Sequence, residues 1–94
     1  MTSLTLITKP ECHLCDVAEG VIEQVLSALP ERIAAGIEVE QRSILDDPAL
    51  YEKWWESIPV VLIDGELHAH WRVAPERLRE ALLTAAGEST PSAS

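Results

Sequence analysis

The sequence predicts an α/β fold, in which a four-stranded mixed sheet is flanked by three helices. Two observations lead to this class. Segments with the patterning of strands and of helices follow one another in the order strand, helix, strand, helix, strand, strand, helix. In addition, residues 60–63 (Val-Val-Leu-Ile) form an unbroken apolar run, which is typical of a strand that is buried on both faces.

The first half of the chain predicts a βαβ unit. Residues 4–8 are short and β-branched, and apolar residues then recur every four positions over 12–29, as on an amphipathic helix. Residues 37–42 alternate, and Ile37 and Val39 are predicted to point inward. Because a helical crossover joins the two strands, we expect them to be parallel with a right-handed connection.

A short helix is predicted in the middle of the chain. Asp47 is suited to cap it and Pro48 to occupy its first position, and the helix is expected to reach about residue 56. Trp54 and Trp55 are adjacent, so they cannot both face the core of one helix. One of them is expected to pack inside and the other to be exposed.

A hairpin and a closing helix are predicted for the remainder of the domain. Residues 60–63 and 66–71 flank Asp-Gly at 64–65, a dipeptide typical of tight turns, and are therefore expected to be antiparallel. A proline then begins a helix over 75–87. The small, polar residues 88–94 are predicted to be a disordered tail.

Composition and charge restrict the function classes. The net charge of −9 argues against nucleic acid and against anionic membrane surfaces as partners, because their phosphates would repel it. No apolar run approaches the roughly 18 residues that a membrane span requires. The N-terminus also lacks the basic and apolar regions of a secretion signal. These features predict a cytoplasmic protein with one domain at residues 1–87, and we expect a monomer.

The chemistry-bearing motif is Cys12-His13-Leu14-Cys15, which lies where the first strand gives way to the first helix. In a cytosolic βαβ context, this cysteine spacing is typical of a redox-active dithiol. Free N–H groups and the helix dipole would stabilise a thiolate at Cys12. Cys15 lies one turn later on the same face, where it can attack a mixed disulfide. A purely structural disulfide is disfavoured, since so short a loop restricts the unfolded chain very little.

Other interpretations of the cysteine pair remain open. Cys12 and Cys15 could be two small buried hydrophobic residues. They could also hold a metal or an iron–sulfur cluster, but two ligands cannot complete such a site, so a partner chain or glutathione would have to supply the rest. A third alternative is a binding module without turnover. From the chain alone, no metal site is predicted.

Three segments resemble glutaredoxin-like proteins of the thioredoxin-fold superfamily. The active-site segment of that family is similar to residues 8–18 (Thr-Lys-Pro-Glu-Cys-His-Leu-Cys-Asp-Val-Ala). Its cis-proline loop is similar to residues 57–60 (Ser-Ile-Pro-Val), and the hairpin that follows is similar to the Asp-Gly turn at 64–65. The likeness extends over about residues 4–86 and implies a thioredoxin-like fold.

The resemblance also implies an enzyme, a thiol–disulfide oxidoreductase acting on protein or small-molecule disulfides. Cys12 would be the attacking cysteine and Cys15 the resolving one. Pro59 would be cis, with the main chain of Ile58 placed opposite the thiols to pair with an incoming chain. Lys9 would assist the thiolate or the carboxylate of glutathione. No resident cofactor is implied, and glutathione is left open as a co-substrate.

The sequence departs from the glutaredoxin pattern at two places. The dipeptide between the cysteines is His-Leu, whereas a typical glutaredoxin has proline and tyrosine. A protonated His13 would favour a thiolate at Cys12, and the carboxylates of Glu11 and Asp16 would oppose it. At residues 71–75 the chain reads Trp-Arg-Val-Ala-Pro, where glutaredoxins usually carry a Gly-Gly pair and an acidic residue that receive glutathione.

Overall fold

A computed structural model describes residues 2–87, which contain four strands and four helices. The order of strands and helices is as predicted, except for one additional helix. The predicted tail at residues 88–94 lies outside the described residues. No helix in the described part of the chain is long and apolar enough to cross a membrane. In chain order the elements are β1 (Thr2–Thr8), α1 (His13–Ala28), α2 (Glu31–Ala34), β2 (Ile37–Ser43), α3 (Pro48–Trp54), β3 (Val60–Ile63), β4 (Glu66–His70) and α4 (Pro75–Ala85).

The additional helix is α2, a single turn between α1 and β2, so the prediction of three helices was one short. A proline restricts the residue before it to extended backbone, and Leu29, which precedes Pro30, has a ψ of 152°. The first helix therefore ends there. Pro30 then caps the new turn, and Ile33 from that turn is buried in the main core. Packing of this one side chain against the core stabilises the turn, and the local sequence pattern does not reveal such a contact.

The sheet has the strand order β2-β1-β3-β4. β1 pairs in parallel with β2, and β3 pairs antiparallel with β4, as the βαβ unit and the hairpin predicted. β3 also pairs antiparallel with β1. Asp47 caps α3 through a hydrogen bond that it accepts from the N–H of Ala49 at 2.9 Å. The central strands are thus β1 and β3, and both lead directly to the segments that carry the cysteines and Pro59.

Two apolar cores lie on opposite faces of the sheet, because neighbouring residues of a strand point to opposite sides. The larger core packs α1 and α4 against Leu4, Leu6 and Val61. The smaller core, on the side of α3, contains Ile7 and Val60 from the same strands. Its other buried members are Cys15, Ile44 and Ile58, with Cys12, Leu50, Trp54 and Leu62 packed against it. The smaller core therefore joins the dithiol to the proline loop.

Val39 lies on the inward face of β2, as predicted, opposite the buried Leu4, but it is not enclosed by the core. Ile37 is buried in the larger core, as expected, but Val39 is 51% exposed. β2 is an edge strand, and Val39 lies at its rim beside Ile22 and Leu26 of α1. The alternation of the strand was therefore correct, and the exposure of Val39 reflects its place on an edge strand beside an open groove.

His68 of β4 lines a surface groove together with Arg77 of α4, and it makes the stability of the fold sensitive to pH. Burial lowers the pKa of His68 below its ordinary value, and the positive charge of Arg77 lowers it further. Glu66 and Glu80 line the same groove as His68, but their carboxylates do not raise its pKa back to the ordinary value. The neutral imidazole is therefore favoured in the folded protein.

We expect the free energy of unfolding to fall between about pH 7.5 and about pH 5.5 in part because of His68. The unfolded chain takes up a proton on this residue near pH 6.5, whereas the folded chain resists protonation until a lower pH. Urea unfolding curves across this interval measure the effect, and His68→Gln should make the dependence shallower. Identical slopes for the wild type and the variant would contradict it.

Candidate active site

The two cysteines lie at the junction between β1 and α1. Cys12 is the N-cap residue of α1, with extended backbone at φ −113° and ψ 107°, and Cys15 lies in the first turn of the helix. Their Cα atoms are 5.2 Å apart, and their sulfurs are joined by a disulfide. The chain reaches this point through Glu11, which has a positive φ of 54°. The loop after β1 thus turns sharply before the helix begins.

The Cys12 sulfur lies at the N-terminus of α1 and accepts a hydrogen bond there. The N–H of Cys15 donates to Cys12 Sγ at 3.0 Å. The first N–H groups of a helix have no partners within the helix, and they carry the positive end of its dipole. When the disulfide is reduced, this environment favours the thiolate of Cys12, which is the nucleophilic form.

The two sulfurs differ in access to solvent. Cys12 is partly exposed, whereas Cys15 is 4% exposed and belongs to the smaller core. A substrate arriving from solvent therefore meets Cys12 first. An attacking and a resolving thiol would differ in exposure in this way.

The proline loop lies against the same core. The Ile58–Pro59 peptide bond is cis, as the resemblance implied, and Ile58 is buried in the cluster that contains Cys15. Pro59 accepts a hydrogen bond from the N–H of Trp71 at 2.9 Å, which ties the loop to the end of β4. Within residues 2–87, the N–H and C=O of Ile58 form no hydrogen bond. These two groups are therefore free to bind an added strand.

Lys9 and His13 are exposed at the same end of the sheet. Lys9 follows β1 directly, and His13 is the first residue of α1. Neither side chain forms a hydrogen bond or an ion pair with another residue in the described part of the chain. Their assignment to the substrate side thus depends on their place in the sequence next to Cys12.

Trp71 has a position that the sequence did not reveal. It has a φ of 64°, and its indole Nε1 donates to the carbonyl oxygen of Glu56 at 3.0 Å, in the loop before Pro59. Its ring is also 4.7 Å from that of His70. The sequence offered three signals of an irregular backbone at this position: a tryptophan where glutaredoxins usually carry glycine, the end of a predicted strand, and a proline four residues later. They did not specify the conformation.

The two adjacent tryptophans at the end of α3 differ in burial, as predicted. Trp54 is partly buried and packs against the smaller core, while Trp55 is 51% exposed. Trp55 stacks on Tyr51 with ring centroids 6.4 Å apart. Among residues 2–87 there is no group of three or more histidine, cysteine, aspartate or glutamate side chains arranged to hold a metal ion.

Comparison with known proteins agrees with this fold and dithiol. Residues 3–83 match the family described as "Glutaredoxin-like domain (DUF836)", so the chain belongs to this family. Its four-stranded mixed sheet with helices on both faces is a thioredoxin-like fold.

Two curated relatives cover most of the chain. The uncharacterised protein Rv0508 of Mycobacterium tuberculosis is 32% identical over 87 residues, covering 92% of this chain and 88% of the relative. A thioredoxin from Methanocaldococcus jannaschii is 28% identical over 80 residues, covering 84% of this chain and 89% of that protein.

Two solved structures share the fold. The X. campestris protein XcR50 superimposes with a TM-score of 0.64 at 30% identity, covering 87% of this chain and 96% of that one. A thioredoxin mutant from Halobacterium salinarum has a TM-score of 0.63 at 16% identity, covering 90% and 74% respectively. At that identity the second structure supports the fold alone.

Proposed function

We propose that this protein is a thiol–disulfide oxidoreductase in which Cys12 attacks the substrate disulfide and Cys15 resolves the intermediate. The observation that carries the proposal is the asymmetry of the dithiol. Cys12 is partly exposed and its sulfur receives a helix N–H, whereas Cys15 is buried. A metal or structural site would not require this difference between the two sulfurs.

The reaction begins with both cysteines reduced. The Cys12 thiolate attacks one sulfur of a substrate disulfide, a new S–S bond forms, and the other substrate sulfur leaves as a thiolate and takes up a proton. The thiol of Cys15 then loses its proton and attacks Cys12 Sγ. The Cys12–Cys15 disulfide forms, and the second substrate sulfur leaves as a thiol. Two electrons have passed from the protein to the substrate, and an external thiol reductant regenerates the dithiol.

The surrounding residues are assigned supporting roles. The unpaired N–H and C=O of Ile58, held by Pro59, would align an extended substrate chain beside Cys12. Lys9 and His13 would place positive charge near the attacking sulfur when they are protonated. The substrates would be protein or small-molecule disulfides, and the reductant would be glutathione or another thiol. We propose a cytoplasmic, monomeric protein without a resident cofactor.

The test is a redox titration of the wild-type protein in glutathione buffers and, separately, in dithiothreitol buffers. Mass spectrometry of the trapped protein would distinguish dithiol, intramolecular disulfide and mixed species. We expect a reversible Cys12–Cys15 disulfide with a potential of roughly −200 to −230 mV, as in glutaredoxins. A cysteine pair that equilibrates in the dithiothreitol buffers but not in the glutathione buffers would indicate an electron donor other than glutathione. A pair that oxidises in neither buffer would contradict the proposal and favour a binding module.

A further inference from the structure

An apolar groove begins beside the dithiol. Leu14, Val17 and Trp71 are 43%, 50% and 54% exposed, which is unusual for large apolar side chains on one small surface. They border a groove of about 210 Å³, here called the docking groove. Leu14 lies between the two cysteines in the sequence, and Val17 follows in the next turn of α1, so the groove adjoins the helical segment that carries the dithiol. The docking groove is lined by Leu14, Val17, Ala18, Trp71, Arg72 and Val73.

The wall of the docking groove is held in a strained conformation. A φ of 64° is unfavourable for any residue with a Cβ, and most of all for a bulky one. Trp71 keeps this conformation because its N–H donates to the oxygen of Pro59 and its indole donates to the oxygen of Glu56. Core packing does not account for the strain, since the side chain is half exposed. Strained residues of this kind often serve a functional site.

The docking groove is connected to the free main chain of the proline loop. Trp71 is hydrogen-bonded to Pro59, and the preceding residue, Ile58, has unpaired N–H and C=O groups. Because Trp71 joins the groove to this loop, an extended polypeptide that pairs with Ile58 and presents its cysteine to Cys12 would have the docking groove close by. Leu14 and Val17 lie on the first turns of α1 beside the dithiol, so a residue close to the substrate cysteine would lie near them.

We propose that the docking groove receives an apolar side chain next to the reactive cysteine of a polypeptide substrate, and that Trp71 is the specificity-determining residue. This inference rests on the proposed oxidoreductase function and names its substrate class. Glutathione has no apolar side chain beside its cysteine, so it gains nothing from the groove. The groove contributes binding and no chemical step.

The test uses two synthetic peptides that differ only in carrying leucine or serine beside a single cysteine. Each cysteine is joined by a disulfide to thionitrobenzoate. The reduced protein gives two electrons to this bond, becomes the Cys12–Cys15 disulfide, and releases the peptide thiol and the coloured thionitrobenzoate. We expect a second-order rate constant about tenfold higher for the leucine peptide, since leucine would leave water for an apolar surface. The same disulfide of glutathione is expected to react like the serine peptide.

Two variants test whether the docking groove causes this preference. Leu14→Ser combined with Val17→Ser, and separately Trp71→Gly, should bring the ratio of the two rate constants close to one. Glycine adopts a positive φ without strain, so Trp71→Gly removes the indole and spares the backbone. Leu67→Ser is the matched control, because Leu67 is 51% exposed on β4 outside the groove. The control should keep the wild-type ratio.

A ratio near one in the wild type, a ratio that survives both groove variants, or a glutathione disulfide as reactive as the leucine peptide would overturn the proposal. Loss of the proposed function itself looks different, because neither peptide would then release thionitrobenzoate. In that case binding is measured by NMR with peptides that carry serine in place of cysteine. The Trp71 indole signal, identified by its loss in Trp71→Gly, should shift with the leucine peptide only, and no shift would refute docking.

Discussion

Cys12→Ser is expected to abolish disulfide reduction, while Cys15→Ser should stop the reaction at a stable mixed disulfide. Serine cannot form the thiolate that attacks, so the first variant has no route to the intermediate. In the second variant the exposed Cys12 still attacks, but the buried thiol that would release the product is missing. The two variants should therefore fail at different steps, although their cysteines are three positions apart.

The measurement is the reduction of a peptide disulfide, followed by mass spectrometry after acid trapping. Cys15→Ser should accumulate a species heavier by one peptide thiol, and Cys12→Ser should remain unmodified. Ser27→Ala, on the exposed surface near the end of α1, serves as the control and should behave like the wild type. Equal activity of the wild type and both cysteine variants would disprove the assignment of roles.

Leu82→Ala is expected to lower the free energy of unfolding by about 3 kcal/mol. Leu82 is fully buried in α4, in the larger core that also contains Leu4 and Val61. Removing its methyl groups loses transfer free energy and leaves a cavity that the surrounding side chains only partly fill. Because a domain of this size is stable by only about 5–15 kcal/mol, this loss would be a large part of the total.

Urea unfolding of the reduced protein measures this change directly. Leu67→Ala provides the matched control, since the same atoms are removed from a side chain that is half exposed on β4. Its effect should stay within about 0.5 kcal/mol. Similar losses in the two variants would show that α4 is not packed as described.

Most of the fold could be predicted because its elements carry strong local signals. The apolar run at 60–63 has the same bounds as β3, and the Asp47–Pro48 cap begins α3 where expected. Two features had no local signal. The single turn of α2 depends on the burial of Ile33 against distant strands, and the exposure of Val39 depends on the position of β2 at the edge of the sheet.

Part of the candidate site could likewise be predicted from the sequence, and part could not. The spacing of Cys12 and Cys15 and the strand-to-helix junction were visible in the sequence, and the resemblance supplied the cis bond before Pro59. The geometry of Trp71 was not visible, because its positive φ is fixed by hydrogen bonds to the proline loop. Such a bond joins residues far apart in sequence, so propensity and periodicity carry no information about it.

The membership of Cys15 in the smaller core has a thermodynamic consequence. Reduction and unfolding form a closed cycle, so any change in the relative stability of the oxidised and reduced folds must appear as an equal change in reduction potential. For a two-electron couple, about 1.4 kcal/mol corresponds to about 30 mV. Ile44 and Leu50, which share this core with Cys15, can therefore adjust the redox potential through packing alone. For the oxidoreductase proposed above, sequence variation at these positions would be a means of matching the electron donor without altering the dithiol.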